Sequence, residues 1–413
     1  MLRPHPARPL VLAVFLLCGV SSGVGVRAQA TRDAALSAAL TESVKRGDAP
    51  GVVGLVVDRH GEIFKGSAGS LNLSTKALLP ENAIFNIASM TKAVTSVAIM
   101  MLQEQGKLSI DDPVSKYLPG FEHMEVITQF NETDATYEAR PSTKVMTLRN
   151  LLTHTSGIGY AFSSPVAARL QKDTDKNEWE FPLLHEPGER WTYGASTRVL
   201  GLIVEKLSGV SLEEFFQKNI FVPLGMIDTS YAVSNAKQSR VIATYAHVDH
   251  QFKELPSHAI PSIPTAPFRG DGGLYSTASD YGRFIRMILN GGQLDGKRIL
   301  SQHSVYMMSE NQIGPIYVAQ QPAAMPALTK PFPMGAGRDK FGLGFQISAG
   351  SDQDHRSAGS LSWAGLYNTE FWIDPKAGIG AVLLLQYLPF YDDGAIRTLQ
   401  AFETAVYRGR SAK

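Results

Sequence analysis

Apolar positions divide this chain into short continuous runs and longer stripes of helical period. Residues 51–58, Gly51-Val52-Val53-Gly54-Leu55-Val56-Val57-Asp58, are apolar almost without a break and too few for a helix, which predicts a buried strand. His60-Gly61 supplies a turn, and residues 62–66 a partner strand. Near the other end, residues 369–374 and 379–387 read as strands separated by the turn Pro375-Lys376-Ala377-Gly378. Helical spacing appears in residues 31–46 and again in Met90, Ala93, Val94, Val97 and Met101, a stripe that runs out at Gly106. Glycine suits the left-handed position just past a helix end. A helix is also predicted over 199–207. Ser211-Leu212-Glu213-Glu214 is a capping box, Thr277 caps a helix running to about residue 290, and a last helix covers about 395–408. Strands near both termini with helices between them predict one sheet built from both ends of the chain. The α/β part would cover about 31–88 and 270–413, with a mostly helical insertion over about 89–269. Residues 312–338, rich in Pro, Ala and Gln, form a long loop of the kind that covers a site or moves.

The first thirty residues read differently. Arg3 and Arg8 form a basic start, residues 10–20 an apolar stretch, and Ala28-Gln29-Ala30 a cleavage site, the pattern of a secretory signal at 1–30. An uncleaved membrane anchor is the alternative, because apolar and small residues continue to Val26. Cleavage would remove Cys18, the only cysteine, so the exported chain would have neither disulfide nor thiol chemistry. It would also remove three of the 39 basic residues, leaving 36 against 38 acidic ones, a net charge of −2. Near neutrality gives no electrostatic case for nucleic acid or an anionic membrane surface. A hydrophobic fraction of 44% with 19% charged residues is that of an ordered globular chain. The expected location is the periplasm or the exterior, without stable membrane insertion after cleavage.

Candidate chemistry centres on Ser89-Met90-Thr91-Lys92. Positions i and i+3 share a helix face, so the serine hydroxyl and the lysine amine can meet, and a serine needs such a neighbouring base to become a nucleophile. Roughly one or two such matches arise by chance in a chain this long, and Ser234-Asn235-Ala236-Lys237 is a second. Only Ser89 begins an apolar helix; Ser234 lies in a polar, turn-rich stretch. The helix start would also favour an oxyanion near Ser89. Its alternative is an ordinary helix cap. Tyr193, in the loop before the helix at 199–207, is the candidate to relay the proton; a ring that merely anchors the helix start is its alternative.

Several motifs together resemble the serine β-lactamase-related family. They are Ser89-Met90-Thr91-Lys92 with its helix, Leu151-Leu152-Thr153-His154-Thr155-Ser156-Gly157, Tyr193-Gly194-Ala195-Ser196, Pro223-Leu224-Gly225-Met226, and Gly270-Asp271-Gly272-Gly273-Leu274-Tyr275-Ser276-Thr277. The family includes class C β-lactamases, penicillin-binding DD-peptidases and β-lactamase-like carboxylesterases (family VIII esterases), and the resemblance covers about residues 35–405. It implies an α+β fold: an antiparallel sheet flanked by terminal helices, an inserted mostly helical subdomain, and the site between them. It also implies Ser89 as nucleophile, with Lys92 and Tyr193 as its acid–base partners.

The departures point to a substrate class. Where β-lactamases and DD-peptidases close the tyrosine motif with an asparagine that binds the substrate amide, this chain has Ala195. Their strand-edge Lys-Thr-Gly or His-x-Gly is best matched by Trp363-Ala364-Gly365, which resembles the carboxylesterase version. Loss of a cation there removes a charge-assisted bond worth about 1.5–3 kcal/mol to an anionic substrate. Trp363 would offer an apolar wall, Gly365 a close backbone approach, and the N–H of Leu366 an oxyanion donor beside that of Ser89. Arg356 is a candidate replacement for the cation. His154 is read as holding a turn by hydrogen bonds, and His247-Val248-Asp249-His250 lacks a further ligand placed by spacing, so no metal and no cofactor are expected. No G-x-S-x-G elbow and no P-loop occur. The expectation is an exported serine hydrolase acting on carboxylic esters, its partner a small-molecule ester or β-lactam-like substrate. The alternatives are a β-lactamase or DD-peptidase and a non-catalytic binder of peptidoglycan fragments.

Overall fold

The computed structural model describes residue 1 and residues 21–256, 260–350 and 355–408, with side chains from residue 30 onward in the first helix. The apolar stretch expected to act as a signal lies outside the described residues. Eight strands form the central sheet. β1 (Gly51–Asp58), β2 (Glu62–Asn72) and β3 (Ala77–Leu78) come from the start of the chain. β4 (Lys340–Phe341), β5 (Gln346–Ile347), β6 (Leu361–Gly365), β7 (Thr369–Asp374) and β8 (Ile379–Leu384) come from its end. Their order is β4-β5-β6-β7-β8-β1-β2-β3, all antiparallel, so the two ends of the chain meet where β8 pairs with β1.

Both faces of this sheet are covered, which is why β1 is apolar without alternation. On one face pack α1 (Ser21–Lys45) and the last helix α5 (Asp393–Tyr407), through Leu36, Leu40 and Phe402 against Val52, Val56 and Trp372. On the other, α4 (Ala278–Leu289) sets Tyr281, Phe284 and Ile285 against Leu55, Val57 and Phe371. Each large side chain so buried is worth about 1.5–3 kcal/mol. The expected antiparallel sheet with flanking terminal helices is therefore present. Between the sheet and the rest of the chain runs α2 (Thr91–Glu104), beside α3 (Ser196–Ser208). Eleven of the fourteen residues of α2 are buried, the polar Thr91, Lys92, Thr95 and Ser96 among them, so the helix is enclosed by its own protein on nearly every side. Gln105 caps it and Gly106 follows with φ +68°, the predicted stop. No described helix is long and apolar enough to cross a membrane.

Three predicted elements differ. The helix expected from residue 31 begins at Ser21, and β2 runs on to Asn72. The strand expected over 379–387 stops at Leu384: Tyr387–Leu388 instead pairs parallel with Tyr245–Val248, outside the main sheet. Residues on both sides of that break are buried, so hydrophobicity alone did not mark it.

Candidate active site

Ser89 sits on the turn that enters α2. Ala88 before it adopts φ +43°, a left-handed conformation unusual for a residue with a side chain, held by Asn86 Oδ1 accepting the Ala88 N–H at 3.0 Å and by Thr91 Oγ1 donating to the Ala88 carbonyl at 2.7 Å. One helical turn on, the Lys92 amine lies 3.1 Å from Ser89 Oγ, 3.2 Å from the Tyr160 hydroxyl and 2.8 Å from the carbonyl of Asp271. Burial brings Lys92 down from 10.5 to about 7; Asp271 opposes the fall, and Arg269 and Arg198 add to it. A neutral amine has two N–H groups and one lone pair. With the N–H groups directed at the Asp271 carbonyl and Tyr160, the lone pair is left for the Ser89 hydroxyl.

The two tyrosines at the amine are not equivalent. Tyr160 donates its hydroxyl proton to the Asp271 carboxylate and accepts from Lys92, so its hydrogen bonds are committed. The Tyr193 ring lies 4.8 Å from Lys92 Nζ, and burial pushes its hydroxyl well above 10, with the adjacent Ser89 hydroxyl pulling it partly back. Of the two, Tyr193 is thus the tyrosine whose hydroxyl borders Ser89. Asp271 anchors the group. Burial alone would raise its carboxyl, but Lys92, Arg269 and Arg198 hold it well below the usual carboxylate range. Arg198 Nη2 stands 3.1 Å from it and Arg269 Nε also 3.1 Å.

The proposed oxyanion donors are brought together by a glycine. A Cβ at Gly365 would collide with Thr369 Oγ1 and with the Ile87 carbonyl, so only glycine lets the end of β6 press against the turn carrying Ser89. Thr369 Oγ1 donates to that same carbonyl at 3.3 Å. Ser89 and Leu366 both line the resulting cavity of about 740 Å³, together with Tyr193 and Trp363. Trp363 is mostly enclosed, packed 5.0 Å from Tyr193 and 5.5 Å from Phe341 between ring centroids. Of the residues nominated from sequence for this site, Ser89, Tyr193, Trp363 and Leu366 line one cavity; Lys92 is buried against Ser89 and Gly365 precedes Leu366, neither of them on the lining.

Other expectations are corrected or sharpened. Arg356 does not replace the missing cation: its guanidinium is spent on Glu403, at 2.9 and 2.8 Å, and stacks on Trp372. The His154 side chain makes no hydrogen bond to a described residue; its ring packs 4.9 Å from Tyr193 and 5.5 Å from Phe341, while its carbonyl accepts from Thr192 at 2.8 Å. Ala195 is fully buried and is not part of the cavity lining. The second Ser-x-x-K is remote, with Lys237 paired to Asp228 at 2.9 Å. The long loop covers the site, pinned by Gln321, whose Oε1 accepts the Tyr193 N–H at 3.1 Å, and it places Met325, Leu328 and Phe332 on the cavity wall. Tyr160 and the charge of Asp271 were not singled out from sequence. Tyr160 follows the Leu-Leu-Thr-His-Thr-Ser-Gly motif by three residues, and Asp271 lies inside the glycine-rich motif, so both motifs held the signal.

Residues 36–406 match the family described as Beta-lactamase. Protein Rv1367c of Mycobacterium tuberculosis is 31% identical over 370 residues, covering 85% of this chain and 89% of that protein. Monacolin J acid methylbutanoyltransferase of Aspergillus terreus is 28% identical over 78% of this chain and 81% of its own length. Lovastatin esterase of Penicillium rubens is 28% identical over 90% and 97%. Among solved structures, simvastatin synthase (LovD) from Aspergillus terreus, in its LovD6 mutant form, superposes with a TM-score of 0.78 at 25% identity, covering 96% of this chain and 98% of that one.

Proposed function

This chain belongs to the Beta-lactamase family, and on that premise we propose that it is an exported serine hydrolase that cleaves carboxylic esters through an acyl group held on Ser89. The observation that carries the reading is the buried Lys92 amine 3.1 Å from Ser89 Oγ and brought to about 7. Neutral Lys92 takes the Ser89 proton as Oγ attacks the carbonyl carbon. The negative charge that develops on the carbonyl oxygen is received by the N–H groups of Ser89 and Leu366. As the tetrahedral species collapses, Tyr193 gives its proton to the departing alcohol oxygen and regains one from Lys92, so the proton lost by Ser89 leaves with the alcohol. Water then enters by the same route in reverse and releases the acid.

Ala195 and Trp363 support esters over lactams, since neither offers the amide or the cation with which an anionic lactam would be held. Trp363, Phe332, Leu328 and Met325 instead line an apolar chamber suited to an acyl chain. A second reading, transfer of the acyl group to an alcohol rather than to water, is supported by the relative named as a methylbutanoyltransferase and by a cavity large enough for two reactants. Export is supported by the basic, apolar and small-residue order of residues 1–30. The test is initial-rate turnover of a short p-nitrophenyl ester and of a chromogenic cephalosporin by the wild type and Ser89→Ala. Ester turnover lost in the variant is expected; a cephalosporin rate above the ester rate would overturn the assignment.

A further inference from the structure

The cavity does not end at Ser89. Its lining continues past the turn joining β6 to β7 and reaches the opposite face of the sheet, beneath α5. Register makes the crossing plain. Trp363 pairs with Phe371 on the face that looks to Ser89, whereas Ala364 pairs with Glu370 and both line the cavity from the other side. The recess reached in this way has Glu370 as its floor and Gln400 and Glu403 of α5 as its wall.

Glu370 is an acid in the middle of a sheet, and no described residue gives its carboxyl a hydrogen bond or an ion pair. The nearby cation, Arg356, is already satisfied: Glu403 accepts its Nε, its Nη2 and its backbone N–H, at 2.9, 2.8 and 3.0 Å. His355 Nδ1 shares the same carboxylate at 3.7 Å. The Tyr391 hydroxyl, also on the lining, accepts the N–H of Met334 at 3.0 Å. An ionised carboxylate set into protein without a partner is costly, and the group responds by keeping its proton. Burial raises Glu370 from 4.5 to about 8; Arg356 opposes the rise and Glu403 adds to it. Arg356 and Glu403 already balance one another, so an ionised Glu370 finds no ion-pair partner among the described residues.

We propose that the recess over Glu370 is a second subsite of the same cavity, which takes a protonated amine carried at the far end of the substrate's acyl arm. An ammonium group there would take the place of the carboxyl proton, which passes to solvent, and give the ionised Glu370 the counter-charge and the donors it lacks. The acyl arm is assigned because the acyl group remains on Ser89 through both half-reactions, whereas the alcohol departs after the first. This inference rests on the ester reading above and narrows it to amine-bearing acyl groups.

The experiment compares p-nitrophenyl esters of ω-amino acids with those of alkanoic acids in which a methyl replaces the ammonium, over a ladder of chain lengths. At the length that spans the turn, the amine-bearing ester should show kcat/KM about tenfold or more above its neutral counterpart, a preference of about 1.4 kcal/mol. Glu370→Gln should bring that ratio to about one, and Glu370→Asp should retain part of it. Because both esters are measured on the same preparation, a loss of folded protein leaves the ratio unchanged. No preference at any length in the wild type, or a preference that survives Glu370→Gln, would overturn the proposal. Failure of the ester reading looks different: the neutral esters themselves would not be turned over in a Ser89-dependent way.

Discussion

Below pH of about 7 the Lys92 side chain carries a proton and has no lone pair for the Ser89 hydroxyl. Burial lowers this group, so the competent, neutral form gains as pH rises through that value, and kcat/KM for an ester should climb on an acid limb centred near 7. Asp271 works against burial by favouring the ammonium. Asp271→Asn should therefore move the limb to lower pH, and a pH–rate profile showing a move to higher pH would contradict the electrostatic account. The same residues separate the two tyrosines. Tyr193→Phe removes the proton carrier and should lower kcat by about 10²- to 10⁴-fold. Tyr160→Phe removes a support for Lys92 and Asp271 and should cost less. If steady-state kinetics gave the larger loss to Tyr160→Phe, the roles drawn from their hydrogen bonds would be reversed.

At the scale of elements, the site depends on the contact between the end of β6 and the turn entering α2. That contact closes only because residue 365 has no side chain. Gly365→Ala should push the Leu366 N–H away from the developing oxyanion and lower kcat by about 10²- to 10³-fold, the scale for loss of one such donor. A circular dichroism spectrum like that of the wild type would place the defect at the site, and an unchanged kcat would remove Leu366 from the oxyanion role. The long loop at 312–338 illustrates what sequence can and cannot say about an element. Its length pointed to a cover. The side chain that pins it, Gln321, meets the backbone of Tyr193 across 128 residues of chain, and no local pattern encodes such a contact. Likewise the strand expected over 379–387 was drawn too long, because burial continues past Leu384 while the backbone partners change.

For the whole molecule, the architecture was legible because periodicity differs so clearly between its parts. Continuous apolar runs near both termini marked β1 and β8, the short β-prone run Phe371-Trp372-Ile373 marked β7, and the stripe after Met90 marked α2 with its stop at Gly106. Ser89, Lys92 and Tyr193, which the structure brings side by side, were legible as spaced motifs. What stayed hidden was three-dimensional charge balance: Asp271 holding Lys92, Arg198 and Arg269 together, Arg356 spent on Glu403, and Glu370 without an ion-pair partner among the described residues. Such pairings join residues remote in sequence, and composition reports only their sum. The central claim is that this fold presents Ser89 to an ester as its nucleophile. The most direct measurement is peptide mass mapping after rapid acid quench during turnover of a p-nitrophenyl ester. The acyl mass should appear on the peptide containing Ser89 and vanish in Ser89→Ala. Steady turnover with the acyl group on another residue, or with equal rates in Ser89→Ala, would contradict it.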